Sequence, residues 1–247
     1  VLANLEAAAL GQLLDSPGIR FDVTELSMIA RVAAEPKVAV MSAESPFRSL
    51  DDLRKADRAI KWGGGGKTDG IADSAAIFSE ALGLNSEIII GYKGSKETSL
   101  AALRGEVDGF FISAGTARKL TAKGELIALA VMERERSPEL PEVPTIFELA
   151  ELTPAQAWWI DVRADIGALG RTLIAAPGIP AEHLAYLREA AVGVLTDPAV
   201  IAETEEKKRP LHMAGPEEVS PLITQSVASL SAEDIQRLRE TVLNKCY

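Results

Sequence analysis

From Val38 to Val131 short apolar runs alternate with segments of helical spacing, the feature that most restricts what this chain can fold into. Val38-Ala39-Val40-Met41 is a compact apolar run closed by Ser45-Pro46, and Ser49 then stands as N-cap of a helix with Asp52 at its third position. Ala59 to Trp62 reads as a strand, 72–84 as a helix stopped by Gly83, and Glu87 to Tyr92 as a strand. A helix over 98–103, a strand over 107–112, a helix over 116–123 and a buried strand over 126–131 complete the series. Strand and helix at this spacing predict a mostly parallel α/β sheet. After Met132 the texture changes. Arg136 to Pro144 is punctuated by prolines, a helical segment lies around 146–152, and Ala176-Pro177-Gly178-Ile179-Pro180 breaks the chain again. From Ala181 onward the pattern is mainly helical, over 182–195, 198–207, 217–227 and 232–244.

The most informative junction is Trp62-Gly63-Gly64-Gly65-Gly66-Lys67-Thr68-Asp69, which links a strand to a helix. A glycine-rich turn there bares backbone N–H groups at a helix N-terminus, a setting that receives anions. Gly66-Lys67-Thr68 matches the end of a nucleotide-binding P-loop, but the first glycine of that motif falls on Lys61, so the spacing fails. The remaining readings are a carboxylate cradle and a flexible turn without ligand. Each charge-assisted N–H to carboxylate bond contributes about 1.5–3 kcal/mol, so two or three support binding on the order of micromolar. Phe110 to Thr116 is a second strand-to-helix junction, where Ser113 and Thr116 serve as ligand donors, helix cap or both. At a third strand end, Tyr92 either walls a pocket or packs. Trp158-Trp159 stands out in a chain with 5% aromatics, as core anchor or cleft lining.

Composition excludes several classes. A formal net charge of −10, with Lys and Arg scattered, leaves no basic surplus for a nucleic-acid partner. No apolar run reaches the length of a membrane span. The single cysteine, Cys246, rules out an intrachain disulfide. His183 and His212 lack companion ligands and read as surface residues, and no nucleophile elbow, zinc-binding helix motif or paired-cysteine pattern occurs. Thus the sequence nominates neither catalytic residues, a metal nor a cofactor. The chain opens on Val1-Leu2-Ala3-Asn4, without initiator Met or a basic start before an apolar block, and so reads as an interior point of a longer precursor.

Several segments together resemble the substrate-binding receptors of tripartite tricarboxylate transporters. They are Gly91-Tyr92-Lys93-Gly94-Ser95, Leu103 to Gly109, Gly124 to Val131, Arg136 to Thr145, and Pro177-Gly178-Ile179-Pro180 with Leu187-Arg188-Glu189-Ala190 and Asp197-Pro198. Their order is that of the family and covers nearly the whole chain. The resemblance implies a type 2 periplasmic-binding-protein fold, in which two α/β lobes are joined by two crossover segments around a cleft that closes on the ligand. It places the crossovers near 33–37 and 132–135, with 1–35 and 133–247 in one lobe and 36–132 in the other. It also implies an N-terminal strand and glycine loop that the chain lacks. The implied function is that of a monomeric extracytoplasmic receptor, periplasmic where a periplasm exists. Such a receptor hands a di- or tricarboxylate, or an aromatic acid, to membrane transporter subunits without spanning the membrane. An enzyme on the same fold and a module coupled to a sensor kinase are the alternatives. The ligand-binding positions are Gly64, Gly65, Gly66, Lys67, Thr68, Asp69, Tyr92 and Ser113, with Asn4 at the cleft edge. Family members carry Ser or Thr where Lys67 and Asp69 stand. Lys67 adds positive charge, whereas Asp69 repels an anion unless it caps the helix.

Overall fold

A computed structural model describes residues 1–207, 209 and 211–247. In chain order, β1 (Leu2–Asn4), α1 (Leu5–Leu13), β2 (Ser27–Ala33), β3 (Lys37–Ser42), α2 (Leu50–Arg54), β4 (Ile60–Gly63) and α3 (Ala72–Leu82) come first. Then follow β5 (Ser86–Ile89), α4 (Ser95–Leu103), β6 (Gly109–Ser113), α5 (Ala114–Thr121), β7 (Leu126–Val131), α6 (Ile146–Leu149) and α7 (Pro154–Ala168). The chain finishes with β8 (Arg171–Ala175), α8 (Ala181–Leu195), α9 (Pro198–Glu206), α10 (Pro216–Ile223) and α11 (Ala232–Glu240). Wider π-helical turns, Thr224–Ala228 and Thr241–Lys245, continue α10 and α11.

The chain divides into two compact units, Val1–Glu35 with Asp165–Glu233, and Pro36–Ala164 with Asp234–Tyr247. The lobes expected from sequence differ from this division after residue 132. Segments 133–164 and 234–247 group with the second unit rather than with the first.

In the first unit the sheet order is β1-β8-β2, and both pairings are antiparallel. This departs from the mostly parallel sheet read from sequence. α1, β2, α7 and β8 carry no sequence assignment, and β8 is the central strand. Ile29 and Ala30 of β2 pack with Ala191 and Leu195 of α8 to form its core.

The second unit holds the sheet β5-β4-β6-β3-β7. β4 pairs parallel with β5 and β6, while β3 runs antiparallel between β6 and β7. A strand covered on both faces reads as a continuous apolar run, and β3 is buried from Val38 to Ser42. Trp62, Phe78 and Phe111 form an aromatic nucleus with centroid separations of 5.0, 5.2 and 6.2 Å. Trp62 lies next to the end of β4, so this nucleus anchors the strand from which the glycine loop departs. Local chemistry sets the helix ends. The Ser49 hydroxyl accepts from Asp52 N–H, although the Asp52 carboxylate reaches Arg48 N–H rather than completing a capping box. Thr145 and Glu148 do form a complete box on α6. Gly83 ends α3 in the left-handed region, at φ 64°.

Candidate functional site

β4, β5 and β6 run in one direction, so the turns after Gly63, Ile89 and Ser113 leave the same end of the sheet, where open α/β sheets receive ligands. The glycine turn is tied to the segment after β5. Gly64 N–H donates to Ile89 O at 2.9 Å, Gly91 N–H to Gly65 O at 3.0 Å, and Tyr92 N–H to Gly64 O at 3.3 Å.

The amides expected to be bare here are occupied by a side chain of the same loop. Asp69 Oδ2 accepts from Gly65 N–H at 2.6 Å and Gly66 N–H at 3.1 Å. Its Oδ1 accepts from Ile71 N–H at 3.1 Å and Ala72 N–H at 2.7 Å. A carboxylate offers about four lone-pair positions, and all are used. Asp69 therefore caps α3, as the sequence reading allowed, but does so by lying on the loop amides rather than facing away from them. Gly65 is required for this. A Cβ there would stand 2.3 Å from Asp69 Oδ2 and 2.9 Å from Tyr92 O.

Lys67 is likewise engaged within the protein. Its ammonium donates to Leu243 O at 2.6 Å and lies 4.4 Å from the centroid of the Tyr247 ring. Thr68 is exposed, and Gly64 is buried, while Gly66 is half-buried with open space where a side chain would project. Tyr92 is half-buried, and a Cβ on Gly63 would meet its ring at 3.6 Å. Its hydroxyl donates to Glu106 Oε2 at 3.4 Å, and desolvation, then the Glu106 charge, push the phenol above its ordinary value.

Ser113 ends β6 and precedes α5, yet its side chain makes no capping bond. Its Oγ lies 3.1 Å from Thr116 Oγ1, forming a pair of hydroxyls in which either donates. The first turn of α5 carries no acidic residue, whereas Asp69 saturates the start of α3. Of the positions nominated from sequence, the loop 64–69, Tyr92 and Ser113 thus share the strand ends of the second unit. Asn4 belongs to the first unit, where its Oδ1 accepts from Ala7 N–H at 3.4 Å and caps α1. Sequence reasoning missed Leu243 and Tyr247, since nothing local marks residues so far along the chain as partners of Lys67.

Other candidates contribute little to carboxylate chemistry. A cavity of about 520 Å³ in the first unit is lined only by Val, Leu, Ile and Ala, among them Ile29, Leu173, Leu187 and Leu195. Without a polar side chain it has little with which to orient a carboxylate. Among the described residues no cluster of three His, Cys, Asp or Glu suits a metal ion. His183 is exposed, but His212 is half-buried, which corrects its reading as a surface residue. Its N–H donates to Val32 O and its carbonyl accepts from Arg31 Nε, so backbone pairing with β2 draws it inward. Trp159 is buried and Trp158 half-buried, with the Arg237 guanidinium stacked 4.7 Å from the Trp158 ring and 5.2 Å from that of Trp159.

Residues 15–240 match the family model described as the tripartite tricarboxylate transporter family receptor. A UPF0065 protein of Bordetella pertussis is 26% identical over 231 residues, which are 91% of this chain and 62% of that protein. The chain spans 38% and 62% of the length of two curated relatives. Among solved structures, MatC from Rhodopseudomonas palustris with bound malate aligns at a TM-score of 0.70 and 17% identity, covering 98% of this chain and 78% of that one. A second R. palustris protein, solved with adipate, aligns at 0.71 and 18%, covering 98% and 76%. These likenesses establish the fold as that of the type 2 periplasmic binding proteins. Among the described residues no helix is long and apolar enough to cross a membrane.

Proposed function

Since the chain belongs to the tripartite tricarboxylate transporter receptor family, we propose that it is an extracytoplasmic receptor that captures a small carboxylate and presents it to membrane transporter subunits. The match over residues 15–240 carries this reading. The malate and adipate seen in two structural neighbours support the ligand class.

Within the second unit the ligand carboxylate sits at the start of α5, against the hydroxyls of Ser113 and Thr116. Two properties favour this place over the start of α3. No side chain caps α5, and no acidic residue stands in its first turn. The positive end of a helix dipole therefore faces the ligand without an internal counter-charge, a contribution of about 0.3–1 kcal/mol. Gly66, Thr68 and Tyr92 line the same end of the sheet, while the Asp69 carboxylate keeps its neighbouring amides.

Titration calorimetry and thermal melting of the full chain with malate, succinate, adipate, citrate and benzoate test the proposal. A true ligand at a hundredfold excess over its dissociation constant raises stability by about 2.7 kcal/mol. Replacing Ser113 by Ala together with Thr116 by Val should weaken that ligand about tenfold, the loss of one hydrogen bond to a charged group, while leaving the unliganded melting temperature nearly unchanged. A panel in which no acid shifts the melt or releases heat rejects the receptor reading.

A further inference from the structure

We propose that the C-terminal segment Thr241–Tyr247 is a clasp that pre-orders the glycine loop, and that Lys67 is its positioning residue rather than a ligand contact. The consequence for binding rests on the receptor reading; the clasp itself does not.

The segment is fixed at three places around the loop. Cys246 O accepts from Ile88 N–H on β5 at 2.7 Å. Lys245 pairs with Glu80 on α3. Leu243 O accepts from the Lys67 ammonium at 2.6 Å, and the Tyr247 ring receives the same ammonium at 4.4 Å. Thr241, Val242 and Cys246 are buried. The last carbonyls of a helix have no partner within it, and a cation is their favoured one. Lys67 meets one of them where the π-helical turn ends.

Four consecutive glycines have no side chains to hold them and lose more conformational entropy on ordering than any other residues. The charged side chains that follow supply the anchors. Asp69 gathers the amides on one side, and Lys67 ties the turn to the segment on the other. A loop ordered before the ligand arrives spares the ligand that cost.

The test is a double-mutant cycle read by hydrogen exchange of residues 63–69. Lys67→Met and Tyr247→Leu should each speed exchange there about tenfold, as expected for a lost cation–π contact or charged hydrogen bond. The double variant should go no further, because both remove one linkage, and Lys67→Arg should restore protection. Affinity for malate or adipate should fall in step with the loss of protection. Unchanged exchange in Lys67→Met, or effects that multiply in the double variant, overturn the clasp. So does a Lys67→Met variant that loses affinity while its loop stays protected, since Lys67 is then a direct contact. If the parent binds neither acid, the receptor reading falls and the exchange cycle still decides the clasp. Should Tyr247→Leu fail to fold, the comparison of Lys67→Met with Lys67→Arg decides it alone.

Discussion

At the scale of the residue, two aspartates show how differently a carboxylate is used in this chain. Asp69 serves four amides at the start of α3. Asp69→Ala should cost about 1–3 kcal/mol, the range for losing a cap and leaving donors unsatisfied, and Asp69→Asn less, since one acceptor oxygen remains. Urea denaturation measures both, and an alanine variant as stable as the parent refutes the cap. Asp108, in the Leu103–Gly109 segment, is 7% exposed and accepts from Arg58 at 2.7 and 2.8 Å, Lys61 N–H at 2.9 Å and the Ser45 hydroxyl at 3.2 Å. Burial pushes its carboxyl up, but Arg58 and the other donors outweigh burial and hold it below the ordinary value. Its folded value lies below the unfolded value of about 3.9, so its contribution is full above that pH and is lost as pH falls through the lower folded value. Asp108→Asn should therefore flatten the acid limb of a stability–pH curve below about pH 4. An unaltered acid limb counts against this.

Among the elements, α7 is joined to α3 by Arg163 and Asp73, whose side chains are 1% and 0% exposed and lie 2.8 Å apart. Removing one partner of such a pair leaves an uncompensated buried charge, at about 3–5 kcal/mol. Arg163→Met should show that loss by denaturant titration, and adding Asp73→Leu should recover part of it. A double variant no better than the single one contradicts a coupled pair. On β6, a Cβ on Gly109 would meet Val40 O at 2.5 Å, Met41 Sδ at 2.6 Å and the Trp62 ring at 2.9 Å. Gly109→Ala should destabilise by about 1–3 kcal/mol through overpacking. A melting temperature equal to the parent's would show that β3 and β6 adjust.

At the scale of the whole chain, connectivity separates folding units from sequence segments. The second unit takes 36–164 and returns for 234–247. We propose that this discontinuous set is the independent folding unit, since Arg163 and the C-terminal segment both pack on α3 or its loop. A fragment of residues 36–132 lacks both and should unfold without a cooperative transition. Residues 36–164 joined to 234–247 by a flexible linker should unfold cooperatively. A sharp transition in the shorter fragment would reject the assignment.

The sequence by itself determined the alternating strands and helices of the second unit, because each rests on local chemistry. β3, β4, β6 and β7 are apolar runs, Ser49 caps α2, and Gly83 stops α3. It also determined where a glycine loop at a helix start would lie. It left α1, β2, α7 and β8 unassigned. β8 becomes a central strand by pairing with β1 and β2, which stand far earlier in the chain. Only the tertiary structure decided what fills the glycine loop. Whether Asp69 repels a ligand or caps a helix, and whether Lys67 meets a ligand or the backbone at Leu243, depends on which groups long-range packing brings within about 3 Å. Spacing along the chain carries no record of that.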